Sequence, residues 1–345
     1  VSDAPRPPLP TEAFHDRSMT LPDELLVGAI DLHVHAGPHL KSSPRRIDPV
    51  DVAFEAAGAG MRALVYMDVF KESAGTAWMV RRLAPGIDVY GGIILNSNYD
   101  GLNPRAVKTA LNYGAGAKFV SFGAHSTHYL ASREGRLVDG RPRAFHELDA
   151  RFRDEELARA IRIPLEGALP GELDEILDLI AAHPDVYLNT GHVSGAEALR
   201  LVELAHERGI RRVLVAHVAR RQLSHDEQRA AVRHGALLEA TFADYVYPGG
   251  IPRTHYYVEP EYTVELLVGD DGPRSESFAD LRAAIDAVGL EHFVIGSDYG
   301  IRATPSPVEG MRQLVACLLD MELPSAAIRA LIADNPARLL GLPLR

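Results

Sequence analysis

The chain has 345 residues, 46% hydrophobic and 24% charged, enough apolar material for one large core. Thirty-six Lys and Arg against 47 Asp and Glu leave a formal net charge of −11, which disfavours a nucleic-acid surface. A single cysteine, Cys317 in the apolar run LVACLLD, excludes an intrachain disulfide and predicts a buried thiol in a reducing compartment.

The first segment, VSDAPRPPLPTEAFHD, is rich in proline and lacks the basic-then-apolar pattern of a signal peptide, so residues 1–28 are expected to form an N-terminal arm. No later stretch reaches the roughly 18 uninterrupted apolar residues of a membrane span, and a cytoplasmic protein is the expectation. From Ala29 onward short apolar runs alternate with segments of helical period. The predicted strands are 29–36, 61–68, 88–95, 117–123, 185–191, 211–218, 236–242 and 292–299. Helices are predicted over 50–59, 74–84, 104–113, 171–182, 195–208, 224–233, 277–288 and 308–320. Ser194 with Glu197, and Ser224 with Glu227, have the spacing of a capping box and mark two helix starts.

Apolar strands each followed by a helix read as parallel strands covered on their outer side, in a closed barrel or a doubly wound open sheet. Eight runs are the number a closed (β/α)8 TIM barrel needs. The α/β fold expected is therefore one catalytic domain over 29–345. Two stretches exceed what a connection requires, about 124–170 and 243–276, and are expected as insertions on the rim of the active site.

The strongest local signal is DLHVHAGPH, residues 31–39. His33 and His35 are two apart on a strand, so both side chains leave one face, and inside a barrel that face is the lumen. Three more polar residues end predicted strands: His192 after LNTG, His217 in LVAH and Asp298 in VIGSD. Singly each is an ordinary strand-end residue. Together, four imidazoles and a carboxylate at the C-terminal mouth of a barrel make a candidate metal site.

These motifs resemble those of the amidohydrolase superfamily of metal-dependent hydrolases, and more narrowly a poorly characterised branch of it. The resemblance runs from about residue 29 to the terminal DNPARLLGL. It implies that His33 and His35 form the strand-1 pair, that His192 and His217 are the strand-5 and strand-6 ligands, and that Asp298 is the strand-8 aspartate. Lys118, in GAGAKFVSFG, resembles the carboxylated lysine that bridges two metals in phosphotriesterase-like members. The implied cofactor is one or two divalent ions per chain, zinc first, with manganese or iron as alternatives. A one-metal form would use His33, His35, His192 and Asp298, with His217 as ligand or oxyanion donor; a two-metal form depends on Lys118.

The activity expected is hydrolysis of an amide, cyclic amide or ester bond of a small molecule, with Asp298 carrying the proton and His217 assisting. The alternative is a mononuclear decarboxylase or lyase acting on a small carboxylic acid, aromatic or not. Arg302, four residues beyond Asp298, is the candidate clamp for a substrate anion, with Arg253 beside it. His125 and His128, in GAHSTH, are candidate substrate or supporting groups; Asp68, Lys71 and Glu166 are weaker ones. Tyr245, Tyr247, His255, Tyr256 and Tyr257 would give the rim aromatic surface, while Trp78 is expected to pack on its helix. A homodimer or higher homo-oligomer is compatible with the apolar stretch around 308–320. No nucleic acid or membrane partner is expected.

Overall fold

The computed structural model describes residues 20–39, 45–221, 223–246, 253–254, 263–264, 266–267 and 277–344. Eight parallel strand positions follow one another in chain order: β1 (Ile30–Val34), β2 (Ala63–Tyr66), β3 (Asp88–Tyr90 and Ile93–Ile94), β4 (Phe119–Ser121), β5 (Tyr187–Asn189), β6 (Val213–Val215), β7 (Ala236–Thr241) and β8 (Phe293–Gly296). All the predicted runs contain one of these strands. β3 is broken at Gly91–Gly92, where a side chain on either residue would strike a neighbour: a Cβ at Gly92 would lie 2.3 Å from the Phe119 carbonyl. Its first half pairs with β2 and its second with β4.

The ring closes between β8 and β1. Asp298 N donates to His33 O at 2.9 Å, His35 N donates to Tyr299 O at 2.9 Å, and Val34 bridges Tyr299 in parallel. Side chains from non-adjacent strands, such as Ile30, Val65, Phe119, Tyr187, Leu214 and Val294, form one buried cluster, which they can do only across a lumen. The alternate residues, including Val34, Leu64, Val120, Leu188 and Leu238, join a larger cluster with the helices outside.

The helices fall where periodicity puts them. Pro49–Gly58, Pro104–Asn112, Gly195–Glu207, His225–Arg233, Phe278–Val288 and Pro307–Asp320 are each capped by a side chain, from Asp48, Asn103, Ser194, Ser224, Ser277 and Ser306 respectively. Both predicted capping boxes form. Within the expected N-terminal arm, Leu21–Leu26 is a capped helix that buries Leu25 and Leu26, and Arg312 Nε donates to Asp23 at 2.6 Å to tie it to Pro307–Asp320. The terminal helix Asn335–Leu340 packs under the barrel, where Asn335 Nδ2 donates to Leu290 O and Phe293 O at 3.0 and 2.7 Å.

The two long excursions meet. Glu134–Val138 and Arg141–Ala144 form an antiparallel hairpin, and Leu266–Leu267 from the second excursion pairs with its first strand at Gly135 and Glu134. Tyr247, His255, Tyr256 and Tyr257 lie outside the described residues. Tyr245 is buried and stacks on Phe278 at 5.3 Å, so it packs beneath the rim instead of facing outward. Trp78 lies on helix Ala74–Leu83, 43% exposed, with the Arg82 guanidinium of the same helix over its ring at 5.0 Å. Cys317 is half-buried, and burial pushes its thiol up. Among the described residues no helix is long and apolar enough to cross a membrane.

Candidate metal centre

Strand β1 carries a bulge. Ile30 and Asp31 pair with Ala63 and Leu64, but Val34 pairs with Tyr66, so three steps on β1 oppose two on β2. The extra residue shifts the alternation. Ile30 and Leu32 face the lumen floor, and His33 and His35 face the lumen above it. Asp31 is buried and fills the bulge: its Oδ1 accepts from His33 N and Ser297 N, both at 3.0 Å, and its Oδ2 accepts from Ser297 Oγ.

Two further members of the site sit just past strand ends with left-handed backbones, His217 at φ 49° and Asp298 at φ 54°. Such conformations cost a non-glycine residue of order 1–3 kcal/mol and occur where a side chain has to be aimed. Here they turn both side chains toward His33. One nitrogen or oxygen from each of His33, His217 and Asp298 falls within 4.8 Å of the others, and all three residues are buried. His35 Nε2 lies 3.0 Å and His33 Nε2 3.5 Å from Asp298 Oδ1. His192, half-buried at the mouth, stands edge-on to His217 with ring centroids 4.8 Å apart.

The other ring nitrogens are committed. His33 Nδ1 meets Glu239 Oε1 at 3.1 Å, His35 Nδ1 donates to Met67 O at 2.9 Å, and His217 Nδ1 meets Asp244 Oδ2 at 3.0 Å with Thr241 Oγ1 at 3.3 Å. Each imidazole is thus anchored on one side and offers Nε2 on the other, the arrangement that orients histidine ligands. The protons follow the same geometry. Burial opposes charge on His33, but Glu239 and Asp298 outweigh it and push His33 up to about 9. Burial pushes His35 down to about 4, against the pull of Asp298. Asp298 is held well below the usual carboxylate range, because the imidazoles of His33, His35 and His217 overcome its burial.

The donor set fits a divalent metal. His35 Nδ1 donates to Met67 O, so Nε2 is the atom left facing Asp298 Oδ1 at 3.0 Å. A nitrogen and a carboxylate oxygen at that distance share either a proton or a metal ion. Ligands bonded at about 2.0–2.2 Å to one ion are themselves about 3–3.5 Å apart, which is the spacing found. Imidazole and carboxylate without thiolate suit zinc, manganese or iron.

Lys118 is not brought to this cluster. Phe119 takes the inward position on β4, and Lys118 precedes it at the strand's opposite, N-terminal end, with Nζ 5.6 Å from the centre of the Tyr90 ring. Partial burial lowers its ammonium, with Asp185 and Arg212 nearby. The inward residue nearer the mouth on β4 is Ser121, which donates to Asn189. Arg302 is exposed on the turn after β8, and Lys71 and Glu166 are exposed. Asp68 is half-buried and spends its oxygens on Phe70 N, Lys71 N and the Tyr66 hydroxyl.

His125 is buried, with Nδ1 3.1 Å from Glu134 Oε1, in a turn that holds His192: Gly123 O accepts from His192 N and Thr127 Oγ1 donates to His192 O. His128 is half-buried, at the start of helix His128–Ala131. The residues that the motifs did not reveal are Glu239, Asp244 and Thr241. Glu239 carried a signal, being the one charge inside the apolar run ALLEATF.

A family model described as a family of unknown function, DUF6282, matches residues 28–239, more than half of the chain. This chain belongs to the DUF6282 family. The match ends before β8, so Asp298 lies outside it. No curated protein matches the chain in sequence. Solved structures similar to this DUF6282 chain include the probable dipeptidase PvdM from Pseudomonas aeruginosa, at 14% identity and TM-score 0.56, covering 93% of this chain and 96% of that one. An amidohydrolase from Pseudomonas aeruginosa follows at 14% identity and TM-score 0.54, covering 92% and 98%. Organophosphorus hydrolase from Deinococcus radiodurans matches at 14% identity and TM-score 0.54, covering 91% and 93%. The fold of this DUF6282 member is the amidohydrolase (β/α)8 barrel.

Proposed function

We propose that the protein is a metal-dependent hydrolase that activates water against an amide, cyclic amide or ester bond of a small molecule. The observation that carries this reading is the convergence of His33, His217 and Asp298 within 4.8 Å, with His35 Nε2 3.0 Å from Asp298 Oδ1, a buried donor set that a divalent ion would complete. His33, His35, His217 and Asp298 would hold one divalent ion, zinc first, with His192 at the side open to substrate. Such an ion, when bound, acidifies water and polarises a carbonyl.

The chain's own groups supply the rest. Asp298 is ionised and stands at the strand end facing the mouth, so it can accept a proton from attacking water and return it to the leaving group. His217, held by Asp244 and Thr241, keeps its proton on Nδ1 and does not compete for that role. The closed lumen floor keeps bulk water from the underside of the site.

Lys118, lying at the far end of β4, supports one ion over two. A mononuclear site is also what the decarboxylase reading requires, but its anion clamp, Arg302, is exposed, and hydrolysis is the reading favoured. The test is turnover by zinc-loaded protein of a lactone, an aryl ester, a cyclic amide and an N-acyl amino acid, beside an aromatic carboxylic acid followed by carbon dioxide release. Hydrolysis that disappears in Asp298→Ala supports the proposal; carbon dioxide release alone would replace it with the lyase.

A further inference from the structure

Below the centre, two polar atoms are sealed in the lumen without a hydrogen-bond partner among the described residues: the Tyr187 hydroxyl and Glu239 Oε2. Both residues are 0% exposed. The other oxygen of Glu239 holds His33 Nδ1 at 3.1 Å. Tyr187 belongs to the lumen cluster, its ring 5.7 Å from that of Phe119. Asn189, the next inward residue on β5, is level with Leu214 and through it with Leu237, which places Glu239 above Tyr187 on the same inner wall. After burial, the charge of Glu239 is the influence that raises the Tyr187 hydroxyl.

A tyrosine in an apolar floor could be a phenylalanine of the same shape, and a buried carboxylate needs donors for both oxygens. Ordered water is the usual partner of such groups. We propose that Tyr187 is a positioning residue of the metal centre, its hydroxyl donating to a buried water that in turn donates to Glu239 Oε2 and so fixes the carboxylate that aims His33. Tyr187, whose hydroxyl has no partner among the described residues, is the donor at the far end, and the Glu239 oxygen accepts. Glu239 Oε1 then receives the proton of His33 Nδ1, and Nε2 is left for the ion.

The proposal rests on the reading of the site as a metal centre, and the experiment separates the two. Tyr187→Phe, Glu239→Gln and the double variant are compared by thermal unfolding of metal-stripped protein and by titration with cobalt(II) followed through its visible absorption. Tyr187→Phe is expected to melt below the wild type. At a temperature where every variant is folded, it is expected to weaken cobalt binding about ten-fold and shift the visible band, the range that supporting partners of ligands command. In the Glu239→Gln background the same substitution should change little. A Tyr187→Phe protein that melts at or above the wild type with unchanged cobalt affinity overturns the proposal, and so does an equal loss in both backgrounds. Wild-type protein that takes up no cobalt refutes the metal centre instead, while the unfolding cycle still decides whether Tyr187 and Glu239 are coupled.

Discussion

Asp298 N donates to the carbonyl oxygen of His33 at 2.9 Å, so a bond that closes the barrel is made by two members of the candidate centre. Closing the ring and assembling the site are one event. The first and last strands meet at the level where their side chains converge, and the Asp31 carboxylate locks the joint from behind by accepting from His33 N and Ser297 N.

That joint predicts a stability effect separable from chemistry. Asp31→Ala strips the acceptor from two buried backbone donors and should cost about 2–4 kcal/mol in denaturant unfolding. Burial pushes the Asp31 carboxyl up to about 6 despite the bonds from Ser297 and His33, so an amide there loses little charge stabilisation. Asp31→Asn, which keeps one acceptor oxygen, should stay within about 1 kcal/mol of the wild type. Equal losses for the two variants would contradict the role given to the bulge.

His33 predicts a pH dependence for the metal-free protein. Its folded pKa is raised from 6.5 to about 9, so the stabilisation by Glu239 and Asp298 is fully present below about pH 6.5 and is lost as pH rises through 9. Unfolding free energy measured across this window should fall, and loading the metal should flatten the slope, because the ion takes the place of the proton. A metal-free protein whose stability is level from pH 6.5 to 9 would contradict this.

Asp244 predicts a change in affinity without a change in ligands. It touches His217 Nδ1 at 3.0 Å and orients the ring. Asp244→Ala should weaken metal binding about 10–100-fold in competition with a chelator. Unchanged affinity would mean that His217 is held without it.

Much of this was legible in the chain. Alternating apolar runs located eight strands and eight helices because each strand is buried on both faces and each helix on one. His33, His35, His192, His217 and Asp298 stood out because polar residues at the ends of such strands have few reasons to be there. The bulge in β1 was hidden, since no residue type in IDLHV demands it and it exists only in register against β2. The position of Lys118 was hidden for a related reason: spacing locates a strand but not the level at which it enters the barrel, and Phe119 claims the inward position. Glu239 and Asp244 could be given partners only once β7 was placed beside β6.

The most direct test of the central claim is the metal content of purified protein, set beside His33→Ala and Lys118→Ala. One divalent ion per chain is expected, lost in His33→Ala and retained in Lys118→Ala, whose side chain lies at the other end of β4. No bound metal after reconstitution, or two ions that fall to one when Lys118 is removed, would contradict it.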